Sequence, residues 1–365
     1  MARSTTERKQ FLTDLYSGPF PGHGICMLPQ SPPDPLADFT CSTEPVARWV
    51  PALLERYELL VRYTEALDLD CVPSVNLNTN TGVFAAAFGC PLHVFQRMET
   101  NACALPAVTS AAEADALPQP ELARSQTLAR ILELGSLLRD RLGPEVPIGV
   151  PDIQSPFDIA ALVWKKEDLF AAMIEAPDSV NRLVGKCHRL LTDFLQEFKR
   201  MFPNCNLSHC PVTAWAPPDL GCWLSEDEAG SISAAMFEEF MLPTLVAMSE
   251  TFGGMGVHCC AAADHQYANF QRIPNLRALN RVFQNPPGPE PAIRLFSSKT
   301  VLIQAWLGEA EILRFLDLAR SDTRYFFELS AMTIEQARPV VARLREACAA
   351  TQARHSSTST KPFSS

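Results

Sequence analysis

Long apolar runs are missing from this 365-residue sequence: no stretch approaches the roughly 20 residues needed to cross a bilayer as a helix. The first ten residues, Met1 to Gln10, hold no apolar segment of the kind that marks a secretory signal, and the expected location is the cytoplasm. Basic excess is missing too. A formal charge of −10 argues against general nucleic-acid binding, which needs a basic face to neutralise phosphates. The same charge sets an unfavourable overall field for a polyanionic substrate unless local arginines overcome it. There is no Gly-rich phosphate loop, no Gly-x-Ser-x-Gly elbow and no cysteine quartet at zinc-ribbon spacing. Those gaps set aside P-loop chemistry, α/β-hydrolase chemistry and a ribbon-type structural zinc. No internal repeat is visible.

What is present suffices for a large core. Hydrophobic residues make up 47% of the chain and the mean hydropathy is 0.00, which excludes a mostly disordered protein. The length is long for one sandwich and ordinary for a one-domain α/β barrel. Twelve cysteines in a chain with no mark of secretion are expected to be mostly free and buried.

Beyond residue 70, apolar β-type runs alternate with amphipathic stretches. Helices are expected over Ala47–Leu67, Glu121–Leu142, Ile159–Glu175, Ser179–Met201, Ser233–Thr251, His265–Ile273, Glu309–Ala319 and Ile334–Ala349. Strands are expected at Cys71–Val75, Val146–Val150, Pro211–Trp215, Gly256–Cys260, Ala278–Phe283, Thr300–Gln304 and Tyr325–Leu329. An eighth comes from Gly24–Met27 or Val94–Met98. Alternation of this kind implies parallel βαβ units, and the count suits a single (β/α)8 TIM barrel. Residues 1–44 then form an N-terminal extension, 45–349 the barrel and 350–365 a disordered tail. Pro29–Pro35, Ala107–Pro120 and Asn285–Pro291 read as loops.

The most informative run is Gly253-Gly254-Met255-Gly256-Val257-His258-Cys259-Cys260. Side chains alternate along a strand, so His258 and Cys260 share one face while Val257 and Cys259 share the other. A His-x-Cys pair at a strand end offers an imidazole nitrogen and a thiolate to zinc. The bland alternative is a hydrogen-bonded core histidine beside a small buried cysteine. A third ligand would come from Glu226, Asp227 or Cys222. In barrels the reactive groups gather at the C-terminal ends of the strands. Asp152 falls there, after Val146–Val150, as do Asn76, Asn78 and Asn80 after Cys71–Val75. Glu226, Asp227 and Glu228 follow Trp215. The acidic trio also reads as a solvated loop before a helix N-terminus, and Asp152 as a turn or capping residue. Cys205 and His209-Cys210 form a second cluster, expected at the opposite strand end and explained by burial.

Four further runs carry a resemblance: Ser155-Pro156-Phe157-Asp158-Ile159-Ala160, followed by Glu167-Asp168-Leu169-Phe170; Ala176-Pro177-Asp178; and Ile232 to Pro243, with Met236-Phe237-Glu238-Glu239-Phe240 at its centre. With Val257-His258-Cys259-Cys260, their order resembles the uroporphyrinogen decarboxylase superfamily over residues 45–349. That superfamily also holds zinc-dependent methyltransferases acting on methyl-corrinoids and thiols. The resemblance implies a barrel enzyme, with His258 and Cys260 as zinc ligands and the zinc activating a substrate thiol.

Departures from the pattern matter as much. The decarboxylase branch uses an N-terminal arginine pair and an aspartate after an early strand. Here Phe11–Ala47 holds no arginine, and the loop after Val75 has asparagines instead. The methyltransferase branch takes its third ligand from a cysteine near the end of the barrel, and Tyr325–Ser330 has none; Glu226, Asp227 or Glu328 replaces it, or the metal is absent. The leading expectation is zinc-thiolate methyl transfer from a corrinoid protein or small methyl donor. In it Asn78 and Asp152 orient substrate, and Glu226 completes the coordination or moves a proton. The alternatives are a decarboxylase of a tetrapyrrole polycarboxylate and a non-catalytic tetrapyrrole-binding barrel. Neither nucleic acid nor membrane is an expected partner; homodimerisation is left open.

Overall fold

A computed structural model describes residues 2–358 except 31–34, 37, 95–101, 210, 212 and 282–287. Nine parallel strands organise it: β1 (Gly24–Met27), β2 (Val75–Asn76), β3 (Ile148–Gly149), β4 (Cys205–Asn206), β5 (Cys222–Ser225), β6 (Met255–Cys259), β7 (Leu276–Arg281), β8 (Val301–Leu307) and β9 (Arg324–Leu329). Six pair in the order β1-β9-β8-β7-β6-β5, and three in the order β2-β3-β4. Runs such as Val301-Leu302-Ile303 are buried on both faces, as parallel strands covered by helices must be.

The two sheets meet at both edges through a few bonds each, including a parallel bridge between Gln154 and Ser225 of β5. Asp70 N donates to Ile25 O beside β1, and Trp223 N in β5 donates to Leu207 O just past β4. The described residues therefore form an α/β fold with two parallel ladders, where one closed eight-stranded ladder was expected. Proline supplies the reason. Pro73, Pro147, Pro151 and Pro203 flank the two-residue strands, and proline cannot donate to a ladder.

Other expectations change in detail. Pro211–Trp215 is loop among its described residues, and the strands lie on either side of it at β4 and β5. Ala107–Pro120 contains a helix, Ala111–Ala116, capped by Ser110. The stretch Ser233–Thr251 is two helices, Ala234–Phe240 and Leu242–Phe252, divided just before Pro243. Of the two candidates for a further strand, Gly24–Met27 joins the large sheet. Val94 lies in a short antiparallel pair, with Met98 outside the described residues.

Residues 1–44 are not an appendage, because β1 is a member of the six-stranded sheet. Buried Asp70 accepts Ile25 N at 2.7 Å and pairs with Arg3 (2.5 Å) and Arg345 (3.3 Å). That ties the N-terminal segment, β1 and the last helix together. The last helix, Ile334–Thr358, continues into the stretch expected to be a disordered tail. Residues 359–365 lie outside the described residues.

Candidate metal centre

β6 carries His258 and Cys259 at its C-terminal end, with Cys260 next. Parallel register places His258 opposite Asn280 of β7 and Ser225 of β5. His258 is buried and Cys260 exposed, while Cys259 is buried with its Sγ 3.7 Å from Ala261 O. His258 Nε2 stands 2.8 Å from Cys260 Sγ.

A relay fixes the proton on the imidazole. Asn280 Nδ2 donates to Ile303 O at 2.9 Å, so its Oδ1 is the atom that meets His258 Nδ1. Nδ1 therefore carries the hydrogen, and Nε2 turns a lone pair toward the cysteine. This is the arrangement in which the far nitrogen of a histidine serves as a metal ligand.

The loop after β5 supplies the third donor. Glu226 N donates to His258 O at 2.8 Å, extending the ladder by one residue. The chain then turns into a 3-10 helix, Asp227–Ser231. Asp158 holds that turn: its carboxylate accepts Asp227 N at 2.7 Å and Glu228 N at 3.2 Å. Asp158 lies in the first turn of the helix Pro156–Val163, whose N-cap Ser155 bonds Asp158 N at 2.9 Å. The Ser-Pro-Phe-Asp run thus has a local job, which is to aim Asp227. Asp227 Oδ1 accepts Cys260 N at 2.7 Å and lies 3.9 Å from His258 Nε2. Asp227, His258 and Cys260 each present one donor atom, all within 4.8 Å of one another.

Burial shapes the charges around this cluster. Burial, then the charge of Asp227, pushes the Cys260 thiol up to about 12. Without a cation beside it the sulfur keeps its proton. Burial and then Asp227 likewise push the Asp158 carboxyl up. Glu226 is fully buried; burial and then Asp158 push its carboxyl well above the carboxylate range. Neither of its oxygens meets a partner in strict hydrogen-bond geometry, although Ser155 and Asp158 lie beside it. Glu226 thus faces Asp158 in the interior, and Asp227 occupies the third place in the cluster.

The remaining sequence candidates sort by place. Asp152 accepts Gln154 Nε2 at 2.7 Å and lies 3.7 Å from His209 Nε2; burial raises it to about 7. Asn78 is not brought to the cluster. It lines a small separate cavity of about 80 Å³ with Asn76 and Thr213. Glu328 is buried beside Thr213 and Cys26, and Cys222 begins β5 three residues before Ser225.

His209 is the residue that the sequence reading put at the wrong end. It follows β4, so it reaches the C-terminal side, where its Nε2 lies 2.8 Å from Ser225 Oγ. Its ring stands edge-on to that of His258, with centroids 6.4 Å apart. Burial, then His258, lowers it to about 3, so it is neutral. The signal available in the sequence was the Pro203-Asn204 turn ahead of Cys205, which starts the strand six residues earlier than Pro211.

The donor set fits zinc. A carboxylate oxygen, an imidazole nitrogen and a thiol sulfur are all zinc ligands, and three protein ligands leave the open position found in catalytic sites. The lone pair on Nε2 is held in place before any metal arrives, and Cys260, the exposed member, has room to adjust.

The family model for uroporphyrinogen decarboxylase (URO-D) matches residues 64–201, which include the Ser155–Ala160 run and the helix Pro177–Met201. No curated protein matches the sequence. Among solved structures, a methyltransferase from Methanosarcina mazei superposes with a TM-score of 0.66 at 15% identity. The likeness covers 93% of this chain and 98% of that one. At that identity the likeness is one of fold. The likeness to uroporphyrinogen decarboxylase is thus one of sequence over residues 64–201, and the likeness to the methyltransferase is one of fold over nearly the whole chain.

Proposed function

We propose that this chain is a methyl-transferring enzyme of the uroporphyrinogen decarboxylase superfamily, with zinc held by Asp227, His258 and Cys260. The observation that carries the reading is the convergence of three donor atoms on one point at the C-terminal ends of β5 and β6. When bound, zinc supplies a Lewis acid that favours the thiolate form of a substrate thiol at neutral pH. The chain's own residues do the rest. Asn280 fixes the imidazole tautomer, and Asp158 sets the loop that carries Asp227. Asp152 and neutral His209 border the cluster and are placed to hydrogen-bond a substrate. The fold likeness to a methyltransferase and the superfamily resemblance support a corrinoid protein or a small methylated compound as donor.

A tetrapyrrole polycarboxylate is the weaker substrate. No arginine lies between Phe11 and Ala47, and each lost charge-assisted bond forfeits about 1.5–3 kcal/mol. The test is methyl transfer from methylcobalamin to a small thiol, followed as loss of the methyl-cobalt absorbance. Zinc-loaded protein should turn over, and the Cys260→Ser variant should fall at least a hundredfold. Turnover of uroporphyrinogen by metal-free protein would contradict the proposal.

A further inference from the structure

The opposite face of the sheet, where the strands begin, holds a groove of about 710 Å³ that the proposed reaction does not use. It runs between the starts of β7, β8 and β9 and the end of the first helix, Thr5–Ser17. Four cations line it: Arg272, Arg277, Lys299 and Arg324. No carboxylate side chain does so among the described residues. On a chain of net charge −10 that is a local reversal of sign.

Two of the four are already engaged. Arg272 pairs with Glu238 at 2.9 Å, and Arg324 donates to the carbonyls of Asp14, Leu15 and Gly18 at 2.8–2.9 Å. Arg277 and Lys299 have no ion pair among the described residues. Arg277 is half-buried, its Nε is sealed from solvent without a partner, and burial lowers its affinity for its proton. A guanidinium partly out of water without a counter-charge is costly, and an anion in the groove would offset that cost. Two rim residues, Asn275 (φ 48°) and Ser298 (φ 76°), hold the left-handed backbone conformation that non-glycine residues adopt at a cost.

We propose that this groove binds a small multivalent anion of the phosphate-ester class, with Arg277 and Lys299 as its unpaired cationic contacts. A groove of this volume falls in the range of small-molecule sites. Arginine forks suit phosphate oxygens bidentately. The proposal stands independently of the metal centre, which lies at the other ends of the strands.

Calorimetric titration of the full chain with inorganic pyrophosphate tests it. One saturable site per chain is expected. Arg277→Gln and Lys299→Gln should each weaken binding at least tenfold without lowering the melting temperature by more than Arg124→Gln, an exposed control, does. Cys260→Ser should bind as the parent does, which separates the groove from any zinc-bound anion. No saturable heat, equal binding by both groove variants, or loss of binding in Cys260→Ser would each overturn the proposal. So would binding of an oligoglutamate peptide in preference to pyrophosphate, since that would point to an acidic protein partner.

Discussion

At the scale of single residues, Asn280 is as telling as the donors themselves. It touches no proposed metal, yet its amide, oriented by Ile303 O, decides which nitrogen of His258 is available. Replacing it with alanine should leave the fold intact and lower zinc affinity by about 10–100-fold, the usual cost of losing such an outer contact. Competition with a calibrated chelator measures it; an unchanged affinity would show that the tautomer is set by something else. Cys259 and Cys260 make a second contrast. Cys260→Ser removes a donor, whereas Cys259→Ser exchanges a buried sulfur for a smaller, more polar hydroxyl and should cost about 1–2 kcal/mol of stability while keeping metal.

Much of this was legible in the sequence, and the misses have a common cause. Period-two alternation is local, so the shared face of His258 and Cys260 could be read directly. Asn280 could not be read as a partner because register between β6 and β7 is a tertiary fact. His209 was lost for the same kind of reason. The apolar, β-prone residues of Pro211–Trp215 looked like a strand, but the pairing partners favour Cys205–Asn206. Asp227 and Glu226 are adjacent, and only the anchoring of the turn by Asp158 decides which of them faces His258.

At the scale of elements, the loop Glu226–Ser231 depends on two features from different parts of the chain. Asp158 accepts two of its N–H groups, so Asp158→Ala should free the turn and leave those half-buried donors without their carboxylate partner. A loss of about 2–4 kcal/mol in unfolding free energy is expected, with faster hydrogen exchange at Asp227 and Glu228. Unchanged exchange at those two amides would contradict the anchoring role. Strand β6 is held just as closely. A Cβ on Gly256 would stand 2.5 Å from the buried Trp223 ring of β5. Gly256→Ala should therefore cost about 1–3 kcal/mol through overpacking.

At the scale of the whole molecule, the interior holds carboxyl groups without enough charge partners, and stability should reflect it. Burial raises Glu328 to about 7, far above its ordinary 4.5, although Thr213 donates to it. The folded chain keeps a proton there that the unfolded chain gives up. Its contribution is full below about pH 4.5 and is lost as pH rises through about 7. Urea titrations between pH 4.5 and 8 should show stability falling by up to about 3 kcal/mol from this group. Glu328→Gln keeps an acceptor for Thr213 and should flatten that slope. A stability that rises over this window in both proteins would contradict the assignment.

The account rests on an imidazole, a thiol and a carboxylate forming one metal-binding point at the end of β6. Elemental analysis of protein purified without chelator tests this most directly. About one zinc per chain is predicted for the parent and for Cys259→Ser, falling close to zero in Cys260→Ser. Equal metal content in all three proteins, or none in any of them under zinc-replete growth, would contradict it.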